Sequence, residues 1–152
     1  MTRISKDLRE FIELLSSHRV EYVLVGGHAV AYHGWPRFTQ DIDFFVRPTL
    51  ENGERLAAAL KQFGFDTPDL TPELFAQPKR NIQLGHPPRR IDLLTSISGV
   101  DFETAWSSRE VAQLDGVVVS IVGRDVLIAN KRASGRPKDL ADLDHLEPKT
   151  PK

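Results

Sequence analysis

The sequence contains no cysteine, which excludes disulfides, zinc–thiolate fingers, iron–sulfur centres and cysteine nucleophiles outright. It lacks an excess of either charge. Twenty Lys and Arg stand against 21 Asp and Glu, for a formal charge of −1. That balance argues against indiscriminate binding to nucleic acid or membrane, while leaving room for a local basic groove. No apolar run approaches the roughly 20 residues that a bilayer-spanning helix needs. The N-terminal stretch through Ser17 is too charged for a signal-peptide core. A cytoplasmic globular protein is the expectation. His28 and His33 are five apart and so lack the i,i+4 spacing of a zinc-binding helix. Ser16-Ser17 and Ser107-Ser108 have no visible His/Asp partners, which speaks against serine hydrolysis. At 152 residues the chain suits one domain, expected over 1–148 with a frayed tail at 149–152. A chain of this length buries roughly 68–70% of its unfolded surface and needs no covalent staple.

What is present reads as alternating helices and strands. Leu8, Phe11, Ile12 and Leu15 form one stripe of a helix over residues 5–17, with Ser5 as N-cap. Tyr22–Val25 is a short buried strand that stops at Gly26-Gly27 and leads into a helix over 28–33. Asp41–Val46 is a second strand. Thr49 caps a helix over 50–63 that buries Leu56, Leu60 and Phe63 and ends at Gly64. Pro68, Pro72 and Pro78 predict a loop with one short helix over 65–80. Strands follow at 81–84 and 90–95, joined through His86-Pro87-Pro88, then a helix near 101–106 and a last strand at 117–122. Helices over about 124–133 and 137–146 close the chain. This order predicts an α/β (α+β) fold, a mixed sheet flanked by helices.

The carboxylates carry the most information. On a strand, residues two apart point to one side, so Asp41 and Asp43 face together while Ile42, Phe44 and Val46 face the core. Two adjacent carboxylates on a rigid strand suit hard divalent cations. Asp92 likewise interrupts a strand built for burial, Arg90–Leu94, and three carboxylates converge if the two strands are neighbours. Two-metal phosphoryl-transfer sites use bridging carboxylates in this way. The plain alternative is that Asp41 and Asp43 are edge-strand or turn residues. Gly26-Gly27, at a strand–helix corner, allows close backbone approach to a phosphate or simply makes a turn. It is neither a P-loop nor a dinucleotide fingerprint.

Val25-Gly26-Gly27, thirteen intervening residues, Asp41-Ile-Asp43, and later Ile91-Asp92-Leu93 together resemble the signature of the DNA polymerase β-like nucleotidyltransferase superfamily. The stretch from Gly26 to Asp43 looks more narrowly like small bacterial and archaeal members related to AbiE-type toxin components. The segment Leu127 to Leu143 is similar to that group's closing motif. The resemblance covers roughly residues 20–146. It implies that Gly26 and Gly27 hold a nucleoside triphosphate and that Asp41, Asp43 and Asp92 bind Mg²⁺, as two ions, with Mn²⁺ as a substitute. Asp92 would also orient or deprotonate an acceptor hydroxyl. Lys131 would face the phosphates, and Asp139 and Asp142 match the acidic positions after it in the nucleotide-binding set. Arg37 and Thr39 would contact phosphate from the loop before Asp41.

The implied reaction is transfer of a nucleoside monophosphate from an NTP to a hydroxyl on a tRNA end, a protein or a small molecule. A toxin role with an antitoxin partner is part of the same implication. His28 stands where many members have serine, which motivates the alternative of a non-catalytic nucleotide- or partner-binding module on the same fold. Other residues remain open in the sequence. Lys131, Arg132, Arg136 and Lys138 form either a solvated face or a phosphate-facing wall. Asp139 and Asp142 share a helical face and could equally complement the helix dipole after Pro137. Arg90 has the parity of Asp92 and either pairs with it or faces solvent. His28 lies near the nucleotide or is packed, and Trp35 and Trp106 belong to the core or its rim.

Overall fold

The strand Tyr22–Val25 (β1) is buried along its whole length, as a run of Tyr, Val, Leu and Val requires. In the computed structural model, which describes residues 5–34, 41–85 and 90–147, it lies near the middle of a six-stranded sheet. The other strands are Asp41–Val46 (β2), Asn81–Leu84 (β3), Arg90–Leu94 (β4), Glu110–Leu114 (β5) and Val117–Ile121 (β6), in the order β3-β4-β2-β1-β6-β5. β2 runs antiparallel to β1 and parallel to β4, β1 is parallel to β6, and the outer pairs β3/β4 and β5/β6 are antiparallel. The sheet is therefore mixed, as the element order predicts.

Among the described residues six α-helices accompany it: Lys6–Ser17 (α1), Gly26–Tyr32 (α2), Leu50–Phe63 (α3), Phe102–Ser108 (α4), Arg124–Ser134 (α5) and Pro137–Leu146 (α6). The caps are those the sequence offers. Ser5 accepts from the Leu8 N–H at 3.1 Å, and Thr49 accepts from the Asn52 N–H at 3.2 Å. Asp101 accepts from the Thr104 N–H at 2.7 Å, so α4 begins at Phe102, one residue later than expected. The helix expected over 28–33 begins at Gly26, so the glycine pair lies inside its first turn. The short turn of helix expected between 65 and 80 is Leu74–Ala76.

β2 shows how the layers divide. Phe44 turns toward α1 and meets Phe11 edge-on at 5.5 Å and Tyr22 at 5.4 Å. Phe45 turns to the opposite face and packs on Phe102 of α4 at 5.1 Å. Asp41 and Asp43 share the face of Phe45. The buried set Phe11, Ile12, Leu15, Leu56 and Leu60 matches the predicted helix stripes, with Leu8 and Phe63 only partly buried.

One strand was not expected. β5 pairs with β6 through a turn at Asp115-Gly116, whose φ values of +55° and +83° are those of a two-residue hairpin turn. β5 is an edge strand that exposes Glu110, Val111 and Gln113, so its sequence carries little burial pattern. Among the described residues, no helix is long and apolar enough to cross a membrane.

Candidate functional site

The sheet register assembles a row of residues. Val25 on β1 lies opposite Asp43 on β2, Asp43 opposite Asp92 on β4, and Asp92 opposite Gln83 on β3. Directly opposite residues share a face, so both aspartates and Gln83 project from one side of the sheet. The neighbouring rows place Asp41 opposite Arg90 and Asn81 opposite Leu94. Parallel pairing of β2 with β4 is what joins the two aspartate-bearing strands.

These residues line a cavity of about 520 Å³ whose remaining walls include Ser96, Asn130, Lys131, Arg136 and Lys138. Gly26 lies on its rim with φ +69°, a left-handed conformation that glycine adopts without cost. A Cβ at this position would overlap Asp43 Oδ2 and stand 3.0 Å from its Cγ. The backbone thus approaches the Asp43 carboxylate as closely as a residue without a side chain permits. Gly27, in the same helical turn, is buried.

Asp43 and Asp92 interact directly. Burial, a hydrogen bond with Asp92 and the charges of Asp92 and Asp41 together raise the Asp43 carboxyl to about 7, with Lys138 opposing the rise. Asp43 is therefore partly protonated near neutrality. Arg90 answers the remaining negative charge. Its Nε donates to Asp92 Oδ1 at 3.0 Å and its Nη2 to Asp92 Oδ2 at 3.1 Å, while Nη2 also lies 3.0 Å from Asp41 Oδ2. Of the two arrangements left open for Arg90, pairing with Asp92 is the one present, and it extends to Asp41.

The sequence predicts Asp41, Asp43 and Asp92 as three ligands around one metal site. All three line one cavity. Among the described residues, however, no group of three or more carboxylate or imidazole side chains is disposed to hold an ion as it stands. Asp41 and Asp92 close on a guanidinium instead. The donor set itself, anionic oxygen on rigid strands, is of the type Mg²⁺ and Mn²⁺ take.

On the α5–α6 side, Lys131 is almost fully buried yet reaches the cavity wall. Its Nζ donates to Asp139 Oδ1 at 3.0 Å and stands 3.2 Å from Asp142 Oδ2, an ionic contact off the line of a hydrogen bond. Ser134 Oγ donates to Asp139 Oδ2 at 2.6 Å and Arg136 Nε does so at 2.7 Å. Burial pushes the Asp139 carboxyl up, but the hydrogen bonds from Arg136, Ser134 and Lys131 override it and hold the group well below the usual carboxylate range. Asp139 and Asp142, expected in the nucleotide set, are fully buried and not on the cavity wall. They fix Lys131 and join α5 to α6.

Arg37 and Thr39 fall outside the described residues, as do Trp35 and the linker through His86. His28 is buried, with its Nδ1 lacking a hydrogen-bond partner among the described residues; burial lowers its pKa, keeping the ring neutral. It is packed and does not line the cavity. Trp106 is half-buried at the rim of the core, with Arg109 stacked on its ring at 3.6 Å. Sequence reasoning missed Asn81 and Gln83. Their alternation on an edge strand was visible, but their position beside Asp92 depends on which strand β4 pairs with.

Comparison with known proteins now bears on this geometry. Residues 4–152 match the family described as "Nucleotidyl transferase of unknown function (DUF2204)". Among curated proteins, none matches the sequence. The fold is similar to that of the lincosamide antibiotic adenylyltransferase LnuA, solved with lincomycin bound. There the TM-score is 0.62 at 15% identity, covering 96% of this chain and 98% of that one. A Thermotoga maritima protein assigned as a nucleotidyltransferase aligns with TM-score 0.58 and 14% identity, over 90% of this chain and 88% of its own. An antigenic nucleotidyltransferase-like protein from Paracoccidioides brasiliensis gives 0.55 and 18%, over 95% and 78%. The family match spans nearly the whole sequence, so the chain belongs to this nucleotidyl transferase family. The narrower resemblance to AbiE-type toxins has no counterpart in these matches.

Proposed function

We propose that the protein transfers a nucleoside monophosphate from an Mg²⁺-bound NTP to a hydroxyl of a small, largely uncharged acceptor. The observation that carries this reading is the row Val25–Asp43–Asp92–Gln83, which runs between two unlike ends of one cavity. Beyond Asp43 lie the Gly26 turn and the cations Arg136, at the N-cap of α6, and Lys138, in its first turn, suited to a triphosphate. Beyond Asp92 lie Asn81, Gln83 and Ser96, neutral groups that both donate and accept hydrogen bonds.

The roles follow from position. The Gly26 backbone admits the polyphosphate close to the carboxylates, and Lys138 and Arg136 offset its charge. Asp92, between the two ends, takes the proton of the acceptor hydroxyl. The acceptor oxygen bonds to the α-phosphorus, the bond from that phosphorus to the bridging oxygen breaks, and pyrophosphate leaves. Asn81 and Gln83 orient the acceptor, so the rate gain comes mainly from positioning and fixed charge. Mg²⁺, held by Asp41, Asp43 and Asp92, would supply charge neutralisation on the transferring phosphate. Lys131 is held in place by Asp139 and Asp142 and presents its charge at the cavity wall.

A small acceptor is also supported by the likeness in fold to an enzyme named for a small-molecule acceptor. The structural neighbour named a lincosamide antibiotic adenylyltransferase is spanned over 98% of its length. The broader choices, a tRNA end or a protein hydroxyl, and a toxin role paired with an antitoxin, belong to the same chemistry and are separated by where the label goes.

The test is incubation of the purified protein with each α-labelled NTP, Mg²⁺ and a cell extract split into small-molecule, RNA and protein fractions. Label in the small-molecule fraction, absent with Asp43→Asn, is expected. Label in RNA or protein would move the acceptor. The clamp of Arg90 on Asp41 and Asp92 favours one other reading, a nucleotide-binding module without catalysis. Mg²⁺-dependent NTP binding without label transfer in any fraction would establish that reading instead.

A further inference from the structure

Arg90 stands between the carboxylates of two neighbouring strands. One guanidinium spans two carboxylates of different strands, chelating Asp92 with Nε and Nη2 and reaching Asp41 with the same Nη2. The planar fork of arginine matches this arrangement, whereas a lysine ammonium is a single point of charge. Asp92 is nearly buried while Arg90 keeps 28% of its side chain exposed. The guanidinium therefore closes the carboxylates from the solvent side and has somewhere to go. Asp43, the third carboxylate, bonds Asp92 from the β2 side. With Arg90 seated, the three carboxylates do not offer themselves to a common ion.

We propose that Arg90 is an internal competitor for the metal: its guanidinium holds Asp41 and Asp92 in the nucleotide-free protein and must leave them for a divalent ion to bind. This rests on the nucleotidyltransferase reading and adds an order of events to it. A bare ion must displace a bidentate, charge-assisted pair and is bound weakly. An ion arriving with a triphosphate brings an anion that gives the displaced guanidinium a new partner within the same cavity. Metal and nucleotide then bind as a coupled pair, and the coupling is reciprocal by linkage.

The experiment titrates Mn²⁺ alone into the full chain, reading free Mn²⁺ by electron paramagnetic resonance, for wild type, Arg90→Gln, Arg90→Lys, Lys138→Gln and Asp43→Asn. Removing the clamp should tighten Mn²⁺ binding about tenfold or more, the scale of a lost charge-assisted hydrogen-bond pair. Arg90→Lys should fall between, and it keeps the test alive if Arg90→Gln does not fold. Lys138→Gln removes the same unit of charge from the cavity wall without touching Asp41 or Asp92, and should change affinity less than about threefold at ordinary salt. Unchanged or weaker binding by Arg90→Gln overturns the proposal, as does an equal gain in Lys138→Gln, which would mean that only net charge matters. Absence of Mn²⁺ binding in every variant, with Asp43→Asn indistinguishable from wild type, overturns the metal-site reading underneath it.

Discussion

The carboxylate of Asp43 fills the space in which a Cβ on Gly26 would sit. This ties the glycine turn to the acidic strand sterically. Gly135, at the end of α5, has nearly the same backbone angle, φ +64° against +69°, but its nearest neighbour is 3.7 Å away. Gly135→Ala should therefore cost only left-handed strain, about 1 kcal/mol. Gly26→Ala adds displacement of Asp43 and should cost about 2–4 kcal/mol. Urea unfolding of the two variants measures the difference, and equal costs would disprove the contact.

The raised carboxyl of Asp43 predicts a pH dependence. Asp43 is raised in the folded state, so its contribution to stability is fully present below the ordinary carboxylate range. It is lost as pH rises from about 4 toward about 7, and is flat above. Without metal, the wild type should thus be less stable at pH 8 than at pH 5.5. Asp43→Asn should weaken that trend and be the more stable protein at pH 8. Unfolding midpoints across this range, with EDTA present, provide the check. A wild type that gains stability toward pH 8 would contradict the pairing.

Much of this was legible because local rules decided it. Ser5 and Thr49 cap where short polar side chains meet free N–H groups. Parity placed Asp41 and Asp43 on one sheet face before any tertiary fact was known, and added Asp92 only on the condition that its strand was a neighbour, which the β2–β4 pairing meets. What escaped depended on pairing between distant segments. β5 is an edge strand with one buried residue, Leu114, and its only local mark was Asp115-Gly116. Asp139 and Asp142 were seen to share a helical face, but which neighbour that face meets is set by α5 packing on α6. The answer, the buried ammonium of Lys131, sets both carboxylates against a lysine and off the cavity wall. Arg90 could be paired with Asp92 from parity alone, whereas its reach to Asp41 required the parallel register of β2 and β4.

That buried network predicts a separation of roles between two lysines. Lys131→Ala strips the ammonium from two fully buried carboxylates and should cost about 3 kcal/mol or more of stability. Lys138→Ala, on the cavity wall, should leave stability within about 0.5 kcal/mol and weaken Mg²⁺–NTP binding. Chemical denaturation beside nucleotide titration distinguishes them. Asp139 adds a pH signature of opposite sign to Asp43. Its carboxyl is held low in the fold, so its stabilisation is present above the ordinary carboxylate range and is lost as pH falls through and below it. Asp139→Asn should blunt acid unfolding at those pH values.

The division of the cavity by Asp92 predicts that its two ends fail independently. Gln83 is directly opposite Asp92 on β3, and Asn81 lies two residues along the same face. Neither is on the side of Gly26, so truncating them should leave the triphosphate contacts intact. Gln83→Ala and the double variant with Asn81→Ala are expected to bind all four NTPs within about twofold of wild type. They should nonetheless lose tenfold or more of label transfer into the small-molecule fraction, the scale of one or two lost acceptor hydrogen bonds. Arg136→Ala should do the reverse, weakening NTP binding through lost charge. Asp92→Asn keeps the shape and removes the proton acceptor, so it should abolish transfer whichever acceptor is supplied. If Gln83→Ala weakened NTP binding as much as Arg136→Ala does, the nucleotide would have to lie across β3, and the assignment of the two ends would be exchanged.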